Sequence, residues 1–336
     1  MILTTPLIER LAKEGPVHVV ATPANAGILA NHPAVASVIV FDKRRADRGI
    51  GGMRRMARAV RETGATRAYL AQGSVRTAAV AWLAHVPNRI GFATSPGRML
   101  YTQRVALDRT LHHAQRLWQL GSAPKSARGA NVETIPALRP SLFPSAADEA
   151  QVDTLLREHD VRDREPLIAL APGSVWATKR WPSYDALAAQ LASAYGDGAR
   201  IVVLGGNDDR ALANAIGAAV HTAGGPQVVD AVGRLSLLAS AALLQRARVL
   251  ITNDSAPLHL ASAMNTPTIA MFGPTVPGFG FGPLAERRRV VEEQGLVCRP
   301  CDAHGPQRCP LGHWNCMRNI SAERVVPLVR ALAQHG

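Results

Sequence analysis

The chain has 336 residues, 47% of them hydrophobic and 19% charged, enough to fill two cores of about 150 residues each rather than one. No apolar run reaches the roughly 18 residues of a membrane span. The opening MILTTPLIERLAKEG lacks the basic start, long apolar core and cleavage site of a secretory leader, so a soluble, cytoplasmic protein is expected. A formal charge of +13 attracts polyanions, yet only 4% of residues are aromatic and none interleave with Arg or Lys as a single-strand stacking platform requires; no nucleic-acid partner is expected.

In chain order, MILTTPLIERLAKEG reads as a helix, where an α/β nucleotide-binding domain ordinarily opens with a strand and a tight turn. The first strand of the N-terminal domain is therefore read as missing. Short β-branched runs at Val17–Ala21, Ser37–Phe41 and Arg67–Ala71 then alternate with Ala-rich helical stretches, the rhythm of a parallel sheet flanked by helices. Within it, the arginines from Arg54 to Arg61 carry two readings: a solvated helix face, or peripheral docking to an anionic inner-membrane surface. Gly129–Pro144, with three prolines and no helical period, is the expected linker. It separates a domain at 1–145 from one at 146–336. The second series has a helix near Ala147–His159 and strands at Leu167–Ala171, Ile201–Leu204, Arg248–Thr252 and Thr268–Phe272. A last helix, Ala322–Gln334, follows.

Ligands of open α/β sheets lie at the carboxyl ends of strands. Asn253, Asp254, Ser255 and His259 follow one such strand; Asp254 or Ser255 suits a helix cap, and Pro257 suits its first turn. Free N–H groups at that helix start form an anion site for a diphosphate. Simple capping, and a half-buried histidine at 259, is the plainer reading of the same residues. The loop after Leu167–Ala171 brings Gly173, Ser174, Thr178, Lys179 and Arg180, where small and hydroxyl residues admit phosphate and Lys179 neutralises a leaving diphosphate. After a third strand, Asp208 or Asp209 is placed either to bond a ribose hydroxyl or to cap the next helix.

Three segments, NDSAPLHLASA from Asn253, TPTIAMFGPTVPGFGFGP from Thr266 and APGSVWATKRWP from Ala171, resemble the motifs of the lipopolysaccharide heptosyltransferases, glycosyltransferase family 9. AQGSVRTA from Ala71, RIGF from Arg89 and LHHAQR around His112 resemble that family's first domain. The resemblance implies a GT-B fold, two doubly wound Rossmann-like domains facing a cleft. It implies inverting, cofactor-free and metal-independent transfer of heptose from ADP-heptose to an anionic glycolipid, the inner core of lipopolysaccharide. Lys179, Asp254, Ser255 and the amide of Ala256 would lie near the donor diphosphate, with Ser174, Thr178, Asp208 and His259 also on the donor side. Gln72, Ser74, Arg76 and Arg89 would line the acceptor side. The family's expected Asp base precedes the residues matching Ile2–Pro6, upstream of Met1, and Ala256 stands where Gly is frequent. Two alternatives stay open: another GT-B transferase with a UDP or GDP donor, and a nucleotide-sugar binder lacking its base.

Cys298, Cys301, Cys309 and Cys316 are spaced C-x2-C-x7-C-x6-C around His304 and His313. One reading is a structural zinc held by the four thiolates; the other is unliganded thiols in a covering loop.

Overall fold

A computed structural model describes residues 1–122 and 138–333. The linker assigned to Gly129–Pro144 lies partly outside them, as does Gln334 at the end of the predicted last helix. The chain divides into two compact units, Met1–Phe143 and Pro144–Gly336.

In the first unit the opening segment is helical, a 3-10 turn at Ile2–Thr4 running into α1 at Thr5–Ala12. Pro6 is accepted there because the first turn needs no N–H from it. Strand β1 (His18–Ala21), the short α2 (Pro23–Ala26) and β2 (Ser37–Val40) follow, then α3 (Gly49–Glu62), β3 (Arg67–Tyr69) and α4 (Val75–Leu83). β4 (Asn88–Phe92), β5 (Gln103–Val105) and α5 (His113–Gln119) complete it. All described pairings are parallel, but they form two sheets, β1-β2 and β3-β4-β5. Leu7 of α1 packs with Leu117 and Leu120 at α5, while Met56 of α3 packs with Phe41 and with Val80 of α4.

The second unit opens with α6 (Ala146–Glu158), started by a reciprocal cap in which Ser145 and Asp148 each bond the other's backbone N–H. Then come β6 (Leu167–Ala171), α7 (Tyr184–Tyr195), β7 (Arg200–Val203), α8 (Arg210–Thr222) and β8 (Val229–Asp230). α9 (Leu237–Arg246), β9 (Ala247–Asn253), α10 (Ala256–Met264), β10 (Thr268–Phe272) and β11 (Arg288–Glu292) follow, with α11 (Asn315–Arg318) and α12 (Ala322–Ala333) last. The six strands form one parallel sheet in the order β11-β10-β9-β6-β7-β8. LIALA and TIAMF are buried at every position, as parallel strands covered on both faces must be. α12 packs on this unit, burying Val325 and Val329 completely in the cluster that holds Leu187 of α7 and Val249 of β9. Among the described residues no helix is long and apolar enough to cross a membrane.

Candidate functional site

The strand order of the second sheet reverses between β6 and β9: β7 and β8 extend one way, β10 and β11 the other. Chains leaving the carboxyl ends of β6 and β9 therefore diverge, and the crevice they open is where such sheets take ligands. The loop after β6 carries Lys179 and the turn after β9 carries Asp254. They meet there, Nζ to Oδ2 at 2.6 Å, with side chains only 9% and 10% exposed. Thr275, beyond β10, donates its hydroxyl to the same Asp254 oxygen at 2.7 Å. A pair this buried is retained only when its remaining hydrogen-bonding capacity is used. Lys179 has two further N–H groups and Asp254 a second oxygen, and none of these is bonded to protein among the described residues.

Asn253 holds the crevice in shape. Its Nδ2 donates to the Pro172 carbonyl at 2.8 Å, and its Oδ1 accepts from the Trp181 N–H at 3.1 Å and the Tyr184 hydroxyl at 3.3 Å. One fully buried amide thus ties the β9 turn to both ends of the loop after β6. Burial pushes the Tyr184 phenol well above its ordinary range, so it stays a donor.

Ser255 occupies the N-cap position of α10, but its side chain makes no cap bond; the hydroxyl instead lies 3.4 Å from the Asn253 carbonyl and from Thr252 Oγ1. Asp254 is the ion-pair partner, not the cap. Pro257 brings no N–H, and the Leu258 N–H closes onto the Ser255 carbonyl at 3.2 Å. The Ala256 N–H has no intrahelical acceptor, and with the helix dipole it favours an anion beside Lys179. His259, one turn on, is half-buried with its ring 6.4 Å from that of Phe281.

Other predicted donor-side residues are placed differently. The Thr178 hydroxyl donates to the Pro306 carbonyl, and Thr178 is 2% exposed, so it holds the covering loop. Ser174 Oγ accepts the Trp176 N–H at 3.3 Å. Asp208 is exposed in a 3-10 turn, Asn207–Asp209, whereas Asp209 accepts the Gly206 N–H at 3.0 Å. A β-carbon at Gly173 would lie 2.3 Å from the Asp209 carboxylate, so glycine there is what lets the two loops close.

The residues from 298 to 316 cover the Lys179 loop. Pro306 and Gln307 bond it, the Trp314 indole donates to the Thr178 carbonyl at 3.0 Å, and the His304 ring stacks 6.2 Å from that of Trp176. Arg299 anchors this cover. Its side chain, 7% exposed, pairs with Glu292 at 2.8 Å and bonds the carbonyls of Phe272, Gly273 and Thr275. The four cysteines of the zinc reading lie in or beside this cover, none of them in a disulfide. Among the described residues no group of three or more His, Cys, Asp or Glu side chains is arranged to hold a metal ion. Cys298 Sγ instead faces His313 Nε2 at 4.0 Å, and Cys301 donates to the Cys298 carbonyl at 3.3 Å. Burial pushes the Cys316 thiol up to about 11.

In the first unit, Gln72, Ser74 and Arg76 gather where β3 leads into α4. Ser74 caps α4, Gln72 Oε1 accepts from the Thr77 hydroxyl at 2.8 Å, and Arg76 donates to the Lys43 carbonyl at 3.4 Å. Arg89 lies at the amino end of β4. Its guanidinium is spent on the carbonyls of Leu100 and Val86 at 2.7 and 2.6 Å, bracing β4 against the turn before β5. Sequence reasoning missed Thr275 and Arg299, although the FGPT run that contains Thr275 was in view.

A model of glycosyltransferase family 9 (heptosyltransferase) matches residues 53–311. Lipopolysaccharide heptosyltransferase 2 of Salmonella typhimurium is 28% identical over 247 residues, 72% of this chain and 69% of that protein. Among solved structures, a glycosyl transferase family 9 protein from Veillonella parvula superposes with a TM-score of 0.80 at 24% identity, covering 100% of this chain and 94% of that one. The ADP-heptose lps heptosyltransferase II of Escherichia coli gives 0.78 at 25% identity, covering 98% and 94%. The fold of the chain thus matches that of GT-B heptosyltransferase structures.

Proposed function

The chain belongs to glycosyltransferase family 9, the heptosyltransferases, and on that footing we propose that it moves heptose from ADP-heptose to the inner core of lipopolysaccharide, with inversion and without a metal. It is a glycosyltransferase. The observation that carries the finer reading is the Lys179–Asp254 pair at the strand-order reversal, beside the free amide of Ala256. As the bond from the sugar to the diphosphate breaks, negative charge builds on the leaving oxygen. The Lys179 ammonium and the Ala256 N–H are fixed before the reaction and meet that charge without reorganising, which is the task a metal performs elsewhere. The second oxygen of Asp254 accepts from a sugar hydroxyl. Inversion follows from a single displacement, in which the acceptor oxygen enters opposite the diphosphate and yields its proton to a general base. Gln72, Ser74 and Arg76 serve the acceptor side of this reading, and Arg89 serves the β4 turn behind them.

The test is ADP release from ADP-heptose with a lipid-linked Kdo acceptor, compared with UDP- and GDP-sugars. Acceptor-dependent ADP release is the expected result. Preferential turnover of a UDP- or GDP-sugar would replace the donor, and tight ADP binding with no release on any acceptor would make the protein a nucleotide-sugar binder.

A further inference from the structure

The second unit has a cavity of about 840 Å³ at the end of its sheet opposite the crevice. Leu167 and Ala247, the first residues of β6 and β9, line it together with Pro267 just before β10 and the turn that leads from α6 into β6. A strand length, about 15 Å, separates these amino ends from Lys179 and Asp254 at the carboxyl ends. Cavities of roughly 300–1,000 Å³ are the size that takes small molecules.

Five arginines and three acids line this one. Two of the acids are already committed: Asp153 pairs with Arg246 at 2.6 Å, and Glu165 with Arg162 at 3.6 Å and Arg200 at 3.7 Å. The third, Asp163, is exposed and has no ion pair among the described residues. Against it stand three arginines without a counter-ion. Arg164 and Arg248 make neither ion pair nor side-chain hydrogen bond among the described residues, and Arg157 bonds only the Asp153 carbonyl and the Thr154 hydroxyl of its own helix, each at 3.2 Å.

The backbone departs from regularity at both Arg164 and Arg248. Arg248 lies inside β9, yet the pairing with β6 steps from Ala247 opposite Leu167 to Val249 opposite Ile168 and skips it. An extra residue of this kind turns its side chain out of the alternation of the strand. Arg164 has a φ of 62°, in the left-handed region that most side chains avoid. A solvated rim requires neither irregularity, and both bring an uncommitted arginine to one cavity. The rest of the lining is aliphatic: Leu156, Val161, Pro166 and Leu167 are partly or wholly buried, and no aromatic ring joins them. Guanidinium groups recognise phosphate oxygens through paired N–H bonds. The aliphatic lining suits a saturated carbon skeleton, and a bare phosphate would leave it uncovered.

We propose that this cavity binds a phosphate ester with a saturated, sugar-sized body, Arg164 and Arg248 taking the phosphate with Arg157 beside them and the aliphatic lining taking the carbon skeleton. The site is separate from the donor crevice and is tested by binding alone, so it stands or falls apart from the transfer reaction. Glucose 6-phosphate is the probe, titrated calorimetrically into the full chain beside glucose and inorganic phosphate. The ester binds, glucose does not, and inorganic phosphate binds at least ~10-fold more weakly. Arg164→Asn/Arg248→Gln weakens the ester by at least ~10-fold through the loss of charge-assisted hydrogen bonds. An unchanged thermal unfolding midpoint without ligand is the check on folding. Asparagine tolerates the left-handed backbone at 164, so Arg164→Asn alone gives the same reading if the change in β9 lowers that midpoint. Lys179→Met leaves the affinity for glucose 6-phosphate unchanged. The proposal is overturned by a failure of the ester to bind, by equal binding of glucose, or by binding that Lys179→Met weakens and Arg164→Asn/Arg248→Gln does not, which would send the phosphate to the crevice. Inorganic phosphate binding as tightly as the ester overturns it in favour of a bare anion site.

Discussion

Strands of four or five residues behave differently in the two units. In the second, β6, β7 and β10 are buried at every position, within one sheet of six strands. In the first, β1 and β2 leave Val20 and Val40 37% and 48% exposed, and the described strands fall into a sheet of two and a sheet of three. A parallel strand flanked and covered on both faces cannot move without breaking two ladders and two packing layers. An edge strand has one ladder to break. Opening free energies inside one molecule span from near zero to the global value, and such differences place a region on that scale. The rigid unit carries the Lys179–Asp254 crevice.

The sharpest test of this contrast is chemical. Lys179→Met is expected to lower kcat for sugar transfer by ~10²–10³-fold, the usual loss when a fixed donor to developing charge is removed. Near-normal turnover would show that the rigid crevice is not where charge builds. The variant also leaves Asp254 with Thr275 as its partner, so denaturant unfolding should show a stability loss that adding Asp254→Asn relieves without restoring turnover.

Packing gives the next largest effect. Leu170→Ala, at a fully buried position in β6, should cost about 3 kcal/mol in denaturant unfolding, whereas Val20→Ala in β1 should cost less than about 1 kcal/mol. Equal losses would erase the distinction between the sheets. Amide exchange gives the same comparison without mutation, with β6 and β9 protected longer than β1 and β2.

Acid should act on the first unit first. Burial, with Arg116 nearby, pushes His113 down to about 4. The unfolded chain takes up that proton near 6.5, so the contribution of His113 to stability is whole above 6.5, declines as pH falls towards 4 and levels off below it. His113→Gln should flatten that slope in unfolding midpoints measured across the window. A small effect is also expected from Ser145→Ala, which removes half of the reciprocal cap on α6 and should cost about 1 kcal/mol.

Much of the second unit was legible in the sequence because its information is local. The run VLITNDSAP contains a strand, a turn and a helix start, and β10 was placed at Thr268–Phe272 because a fully buried parallel strand is an unbroken apolar run. β11, RRVVE, escaped because an edge strand with three exposed residues has the composition of a loop. Lys179 and Asp254 were each found from their own loops, but their 2.6 Å contact joins positions 75 residues apart. Arg299 was invisible for the same reason: an arginine spent on four backbone carbonyls has no sequence signature. Arg89 is the converse. Its surroundings resembled a substrate-facing motif, while its guanidinium turns inward to carbonyls that only the fold brings near.

Position 253 has an alphabet of one letter. The side chain there faces two donors on one atom and a carbonyl on the other, so its carboxylate twin, aspartate, would turn an acceptor towards the Pro172 carbonyl. Glutamine would overshoot by a methylene. Hydrolytic loss of that single amide nitrogen would therefore change one atom and loosen the three segments that frame the crevice. The shape of the crevice is tied to the chemical age of one buried nitrogen.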